Sequence, residues 1–175
     1  MKYALVYGLL SGSVIAAVIT AALVLGPSDT HSLWFGYLVM LVALTFIFVG
    51  VKRYRDVERG GVIKFLPAFG MGLAIAAVAG LAYVCVWEAY LASTGYRFMD
   101  DFIAAMIRNR QAEGASAAAI AQEVAEWESM RESYANPLFR IPMTFLEIFP
   151  VGFLIALVSA ALLRNPRLLP ARQAA

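Results

Sequence analysis

Four long apolar runs mark the chain, over residues 3–25, 33–51, 66–91 and 141–163, and only Glu88 and Glu147 interrupt them with charge. Each run comes close to or exceeds the roughly 20 mostly apolar residues that a helix needs to span hydrocarbon. The pattern predicts four transmembrane helices. Between the third and fourth lies a polar segment, about 97–136, whose apolar positions recur at helical spacing. Phe98, Phe102, Ile103, Met106 and Ile107 form one such stripe, and Ile120, Val124, Trp127, Met130 and Tyr134 form a second. Gly114 breaks the pattern between them, and Ser116 is placed to cap the second helix. Asn136-Pro137 ends it, because the residue before proline disfavours the helical region. The expected fold is all-α: a single polytopic membrane domain over 1–175, with a helical hairpin inserted between the third and fourth spans.

Composition supports the same class. Hydrophobic residues make up 62% and charged residues 15%, against roughly 45–50% and about 25% in soluble domains; mean hydropathy is +0.74. Cytoplasmic loops hold the excess of Lys and Arg. Here Lys52, Arg53, Arg55, Arg59 and Lys64 lie between the second and third runs, and Arg164, Arg167 and Arg172 follow the fourth. Lys2 precedes the first, and the loop 26–32 has no Lys or Arg. Both termini and the basic loop are therefore expected in the cytoplasm, with the insert outside. In the insert region Arg97, Arg108, Arg110, Arg131 and Arg140 are outnumbered by Asp100, Asp101, Glu113, Glu123, Glu126, Glu128 and Glu132. Trp34, Tyr37, Trp87 and Tyr90 fall near the outer boundary and Tyr3, Tyr7 and Tyr54 near the inner one, where aromatic rings favour the headgroup region. The first run is longer than a signal peptide's roughly 7–15 apolar residues and ends in Leu25-Gly26-Pro27, so it reads as an uncleaved span.

Candidate chemistry is sparse. Cys85 and His31 are each the only one of their kind, so neither a disulfide framework nor a histidine metal site is expected. A metal site drawn from Asp29, His31, Glu88 and Glu147 would lack any ligand-spacing signature. No nucleophile–base set or phosphate loop is legible, so the expectation is a non-enzymatic protein without catalytic residues, metal or cofactor. The loop carrying Lys52, Arg53, Arg55 and Arg59 reads as a topology clamp in contact with anionic headgroups, or as a docking surface for a cytoplasmic partner; nucleic acid does not suit so short a segment. Ionisable residues inside spans are rare and usually functional or paired. Glu88 and Glu147 are therefore a candidate polar site, with Arg140 and Asn136 as nearby partners and Pro150 freeing a carbonyl beside Glu147. Two functions fit. One is an accessory or scaffold module acting through the acidic hairpin. The other is a small-solute or proton-coupled carrier, a homo-oligomer with Glu88 and Glu147 on its path.

A set of motifs stands in order along the chain: Gly8-Leu9-Leu10-Ser11-Gly12, Tyr54-Arg55-Asp56-Val57-Glu58-Arg59-Gly60-Gly61, Tyr134-Ala135-Asn136-Pro137, and Thr144-Phe145-Leu146-Glu147-Ile148-Phe149-Pro150-Val151-Gly152. With these the chain resembles, over essentially its whole length, the bacterial four-span membrane family known as domain of unknown function four-one-nine-nine. The resemblance implies a bacterial inner-membrane protein with the same long insert before the last span. It implies no particular activity.

Overall fold

The computed structural model describes residues 1–25 and 33–171, with side chains at all of these except 19–25, 33–40 and 43. Six helices and no strand occur among the described residues: α1 (Lys2–Leu25), α2 (Leu33–Glu58), α3 (Phe65–Ser93), α4 (Phe98–Ala112), α5 (Ala117–Ala135) and α6 (Pro137–Leu163). The all-α expectation holds. Within the described residues two helices, α3 and α6, are long and apolar enough to cross a membrane, while the described apolar part of α1 is the shorter Lys2–Val18. The loop 26–32, with Ser28, Asp29 and His31, and the side chains of Trp34 and Tyr37 lie outside the described residues.

Two boundaries differ from the sequence reading, each for a local reason. The helix built on the second apolar run does not stop at residue 51 but continues to Glu58. Lys52, Arg53 and Arg55 are therefore helical, and of the four basic residues assigned to a loop only Arg59 lies past the helix end. Lys52 pairs one turn ahead with Asp56, which supports a charged final turn that apolar patterning does not register. The last helix starts at Pro137 rather than near 141. Asn136 accepts the Leu138 N–H on its side chain at 3.0 Å, and its carbonyl accepts from Phe139 and Arg140. Pro137 then occupies the first helical position, where its missing N–H costs nothing.

The chain divides into two units, Met1–Cys85 with Phe145–Ala175, and Val86–Thr144. In the first, α1 and α2 run antiparallel: Tyr3 donates to Glu58 at 3.1 Å, Lys2 pairs with the same carboxylate at 2.8 Å, and the Tyr3 and Tyr54 rings meet edge-on at 5.7 Å. Small residues set the other contacts. A Cβ placed on Gly8 would come within 2.5 Å of Val78 and 2.9 Å of the Ile75 carbonyl, and one on Gly12 within 2.6 Å of Ala82, so α1 lies parallel to α3. Gly72 faces Ala156, Gly152 faces Ala76 and Gly80 faces Phe145, so α3 and α6 run antiparallel. Such close backbone approach needs residues without side-chain bulk. Ile15, Leu44, Ile47, Ile75, Ile148 and Leu163 fill the core between the four helices. The outward faces are apolar too: Leu5 and Leu9 on α1, Leu41 and Val42 on α2, Leu81 on α3, and Leu154 and Val158 on α6 are all exposed.

The second unit is built around the α4–α5 hairpin. Gly114, at φ +75°, turns the chain where a side chain would be strained, and the Ser116 hydroxyl accepts from Ala119 as the N-cap of α5. Phe102 packs edge-on against Trp127 at 4.8 Å, and Met99 and Ile103 are buried. Charges tie the two helices together on the surface. Arg110 binds both Glu123 and Glu113, and Arg131 binds Asp100 and Glu128.

Candidate functional site

In the second unit the polar centre is Arg140. The Asn136 cap begins α6 so that Arg140, four residues on, falls in its first turn. Its side chain is 3% exposed. Nε and Nη2 donate to the two carboxylate oxygens of Glu88, near the end of α3, both at 2.7 Å. This parallel fork is the strongest arrangement open to the pair. Nη1 donates to the Tyr134 and Ala135 carbonyls at 2.9 and 3.3 Å. These are terminal carbonyls of α5, which lack partners within the helix. The guanidinium also lies over the rings of Tyr96 and Tyr134, at 5.2 and 5.7 Å. Tyr96 stands at φ +58°, rare for a residue with a side chain, and its N–H donates to the Leu91 carbonyl at 2.8 Å. Trp87 donates to the Tyr134 hydroxyl at 2.6 Å.

A cleft of about 360 Å³ opens beside this centre, lined among others by Tyr96, Asp100, Arg131, Glu132, Tyr134 and Arg140. Its rim is mixed in sign. The hydrogen bond to Asp100, chiefly, raises the Arg131 guanidinium above its ordinary value. Along the same hairpin the hydrogen bond from Arg110 keeps the Glu123 carboxyl below the usual carboxylate range.

The four residues named from sequence separate by role. Arg140 binds Glu88, not Glu147; of its five N–H groups four are taken by Glu88, Tyr134 and Ala135. Asn136 caps α6 and is bonded to its own backbone neighbours. Glu147 belongs to the first unit, where it accepts from the Tyr83 hydroxyl at 3.2 Å, so the carboxylates of Glu88 and Glu147 fall in different units.

Sequence reasoning missed a second centre, Arg55. Placed in a loop from its neighbours' charge, it is fully buried in α2. Its Nε donates to Asp56 at 2.7 Å, Nη1 to the Leu163 and Leu168 carbonyls at 3.5 and 3.0 Å, and Nη2 to the Leu169 carbonyl. Arg55 thus caps the end of α6 and pins the segment that follows it. Leu169 stands at φ +49°, so among the described residues both non-glycine positions of positive φ, Tyr96 and Leu169, lie against a buried arginine. Burial raises the Asp56 carboxyl, but the hydrogen bonds from Lys52 and Arg55 together outweigh it and hold it below its ordinary value. The sequence signal for Arg55 was an arginine at helical spacing from Val51 and Lys52, on the buried side of an extended helix; only the helix boundary hid it.

The family described as Protein of unknown function (DUF4199) matches residues 3–165, and the chain belongs to it. No curated protein and no solved structure matches the chain.

Proposed function

We propose that α1, α2, α3 and α6 all cross a bacterial inner membrane, with both termini cytoplasmic and the α4–α5 hairpin outside, and that the protein acts as a non-enzymatic accessory module through that hairpin. One observation carries the reading: the outward faces of the first unit are apolar on all four helices, at Leu5, Leu9, Leu41, Val42, Leu81, Leu154 and Val158, as lipid contact requires and water does not favour. The hairpin differs. Asp101, Glu126 and Glu132 are exposed and carry no ion pair among the described residues, against the two exposed and unpaired arginines Arg97 and Arg108, which leaves a small acidic excess for a basic partner.

The carrier reading retains one supporting observation. Glu88 is committed to Arg140, whereas Glu147 lies on a helix apolar enough to span and keeps an exposed side chain with the Tyr83 hydroxyl as its hydrogen-bond donor. Replacing Asp101, Glu126 and Glu132 by Gln should release a co-purifying membrane partner while the chain stays in the membrane. Proton-dependent flux in liposomes containing the purified chain, abolished by Glu147→Gln, would overturn the accessory module in favour of a homo-oligomeric carrier.

A further inference from the structure

The end of the first unit where α2 stops, α3 begins and α6 finishes has an unusual charge balance. Among the described residues its two carboxylates, Asp56 and Glu58, are both engaged. Asp56 binds Lys52 and Arg55, and Glu58 binds Lys2 and Tyr3. The hydrogen bond from Lys2, with that from Tyr3, holds the Glu58 carboxyl below its ordinary range. Five further cations at this end, Arg53, Arg59, Lys64, Arg164 and Arg167, are exposed and have no ion pair among the described residues. The excess is therefore uncompensated positive charge, not a salt-bridge network.

Geometry brings these cations together. After α6 the chain does not leave the bundle. Arg55 holds the Leu163, Leu168 and Leu169 carbonyls, and Ala171 lies so near the α2–α3 turn that a Cβ on Gly61 would stand 3.2 Å from it. Residues 164–171 thus form a strap across the turn, fixing Arg164 and Arg167 on the same end as Arg59 and Lys64. Apolar side chains are exposed among them: Val57, Val62 and Leu66 at the turn, and Leu168 and Leu169 on the strap. Cations interleaved with exposed aliphatic side chains, at the foot of apolar helices, match a molecule that carries a phosphate above an acyl chain. A soluble polyanion would have no use for the apolar half.

We propose that this end is a binding site for anionic glycerophospholipid, its phosphate taken by Arg59, Lys64, Arg164 and Arg167 and its upper acyl chain lying against Leu66, Leu168 and Leu169. The site rests on the membrane-spanning reading above. Arg55 is its positioning residue: it touches no lipid and sets the strap.

The test uses the full chain purified in neutral detergent, with phosphatidylglycerol, phosphatidylcholine or inorganic phosphate added, and reads retained lipid by native mass spectrometry beside thermal unfolding. A basic residue near an anionic surface is worth about fivefold in affinity. Arg164→Gln with Arg167→Gln should therefore weaken phosphatidylglycerol retention by roughly tenfold or more, and should leave unfolding without lipid unchanged. Arg97→Gln with Arg108→Gln, the same charge change on the hairpin, should leave retention intact. Equal retention of phosphatidylcholine, an equal loss in the hairpin control, or a stabilisation that inorganic phosphate reproduces alone would each overturn the site. If the chain remains in membranes washed with alkaline carbonate while any of these holds, only the lipid site fails. Release into the wash would overturn the spanning reading as well.

Discussion

Arg140→Met tests whether the second unit is organised around a buried arginine. Methionine fills similar volume without charge, so the change strands the Glu88 carboxylate and uncaps α5 without opening a large void. Removing one partner of a buried pair costs about 3–5 kcal/mol. Glu88 keeps 23% of its side chain open, so water recovers part of its solvation and the lower end, about 3 kcal/mol, applies. The lost Tyr134 and Ala135 carbonyl bonds and the contacts with Tyr96 and Tyr134 add about 1 kcal/mol. For a chain of this length each kcal/mol shifts Tm by about 2–4 °C, so the expected fall is about 8–16 °C in detergent. Arg140→Met combined with Glu88→Leu removes the stranded charge and should recover about half of that loss, since an apolar replacement of a buried pair is often nearly neutral. Arg140→Lys should lie between, because an ammonium cannot make the two-pronged bond. A Tm for Arg140→Met within about 2 °C of wild type, or a double variant no better than the single one, would refute the pairing.

Other consequences are as direct. Gly8→Ala should destabilise by about 1–3 kcal/mol, because its Cβ meets Val78 and the Ile75 carbonyl; Gly70→Ala, with nothing within 4 Å, should be neutral or stabilising, and equal Tm shifts for the two would contradict the packing. Glu123 is held below its ordinary value by Arg110, so its contribution is fully present above the unfolded value of about 4.3 and is lost as pH falls through the lower folded value. The acid loss of hairpin helicity, followed by circular dichroism, should thus be shallower in Glu123→Gln than in wild type. Arg55→Met should free the strap, so limited trypsin cleavage after Arg164 and Arg167 should quicken several-fold; an unchanged rate would show that the strap is held by something else.

Much of the fold was legible from apolar run lengths and a few punctuating residues. Gly114, Ser116 and Asn136-Pro137 mark the hairpin limits because each acts through its own backbone or one neighbouring turn. The parts that escaped depend on partners distant in sequence. The end of α2 was misplaced because Lys52 and Arg55 look like loop charges until Asp56 and the carbonyls after α6 are seen to receive them. Arg140, Glu88, Glu147 and Asn136 were all visible as polar residues in or beside apolar runs, yet their pairing was not. Which carboxylate meets Arg140 is decided by how α3 and α6 align across 52 residues of separation, and no local pattern encodes that. Tyr96 and Leu169 carried no signal at all, since nothing in either residue type announces positive φ.

Site-directed thiol labelling distinguishes four spanning helices with an outward-facing hairpin from any other arrangement. In a Cys85→Ala background, cells carrying Ser116→Cys or Gly60→Cys are treated with a membrane-impermeant maleimide, before and after permeabilisation. Ser116→Cys should label in intact cells, and Gly60→Cys only once the membrane is opened. Labelling of Gly60→Cys in intact cells, or protection of Ser116→Cys until permeabilisation, would contradict the topology and with it the proposed role of the hairpin.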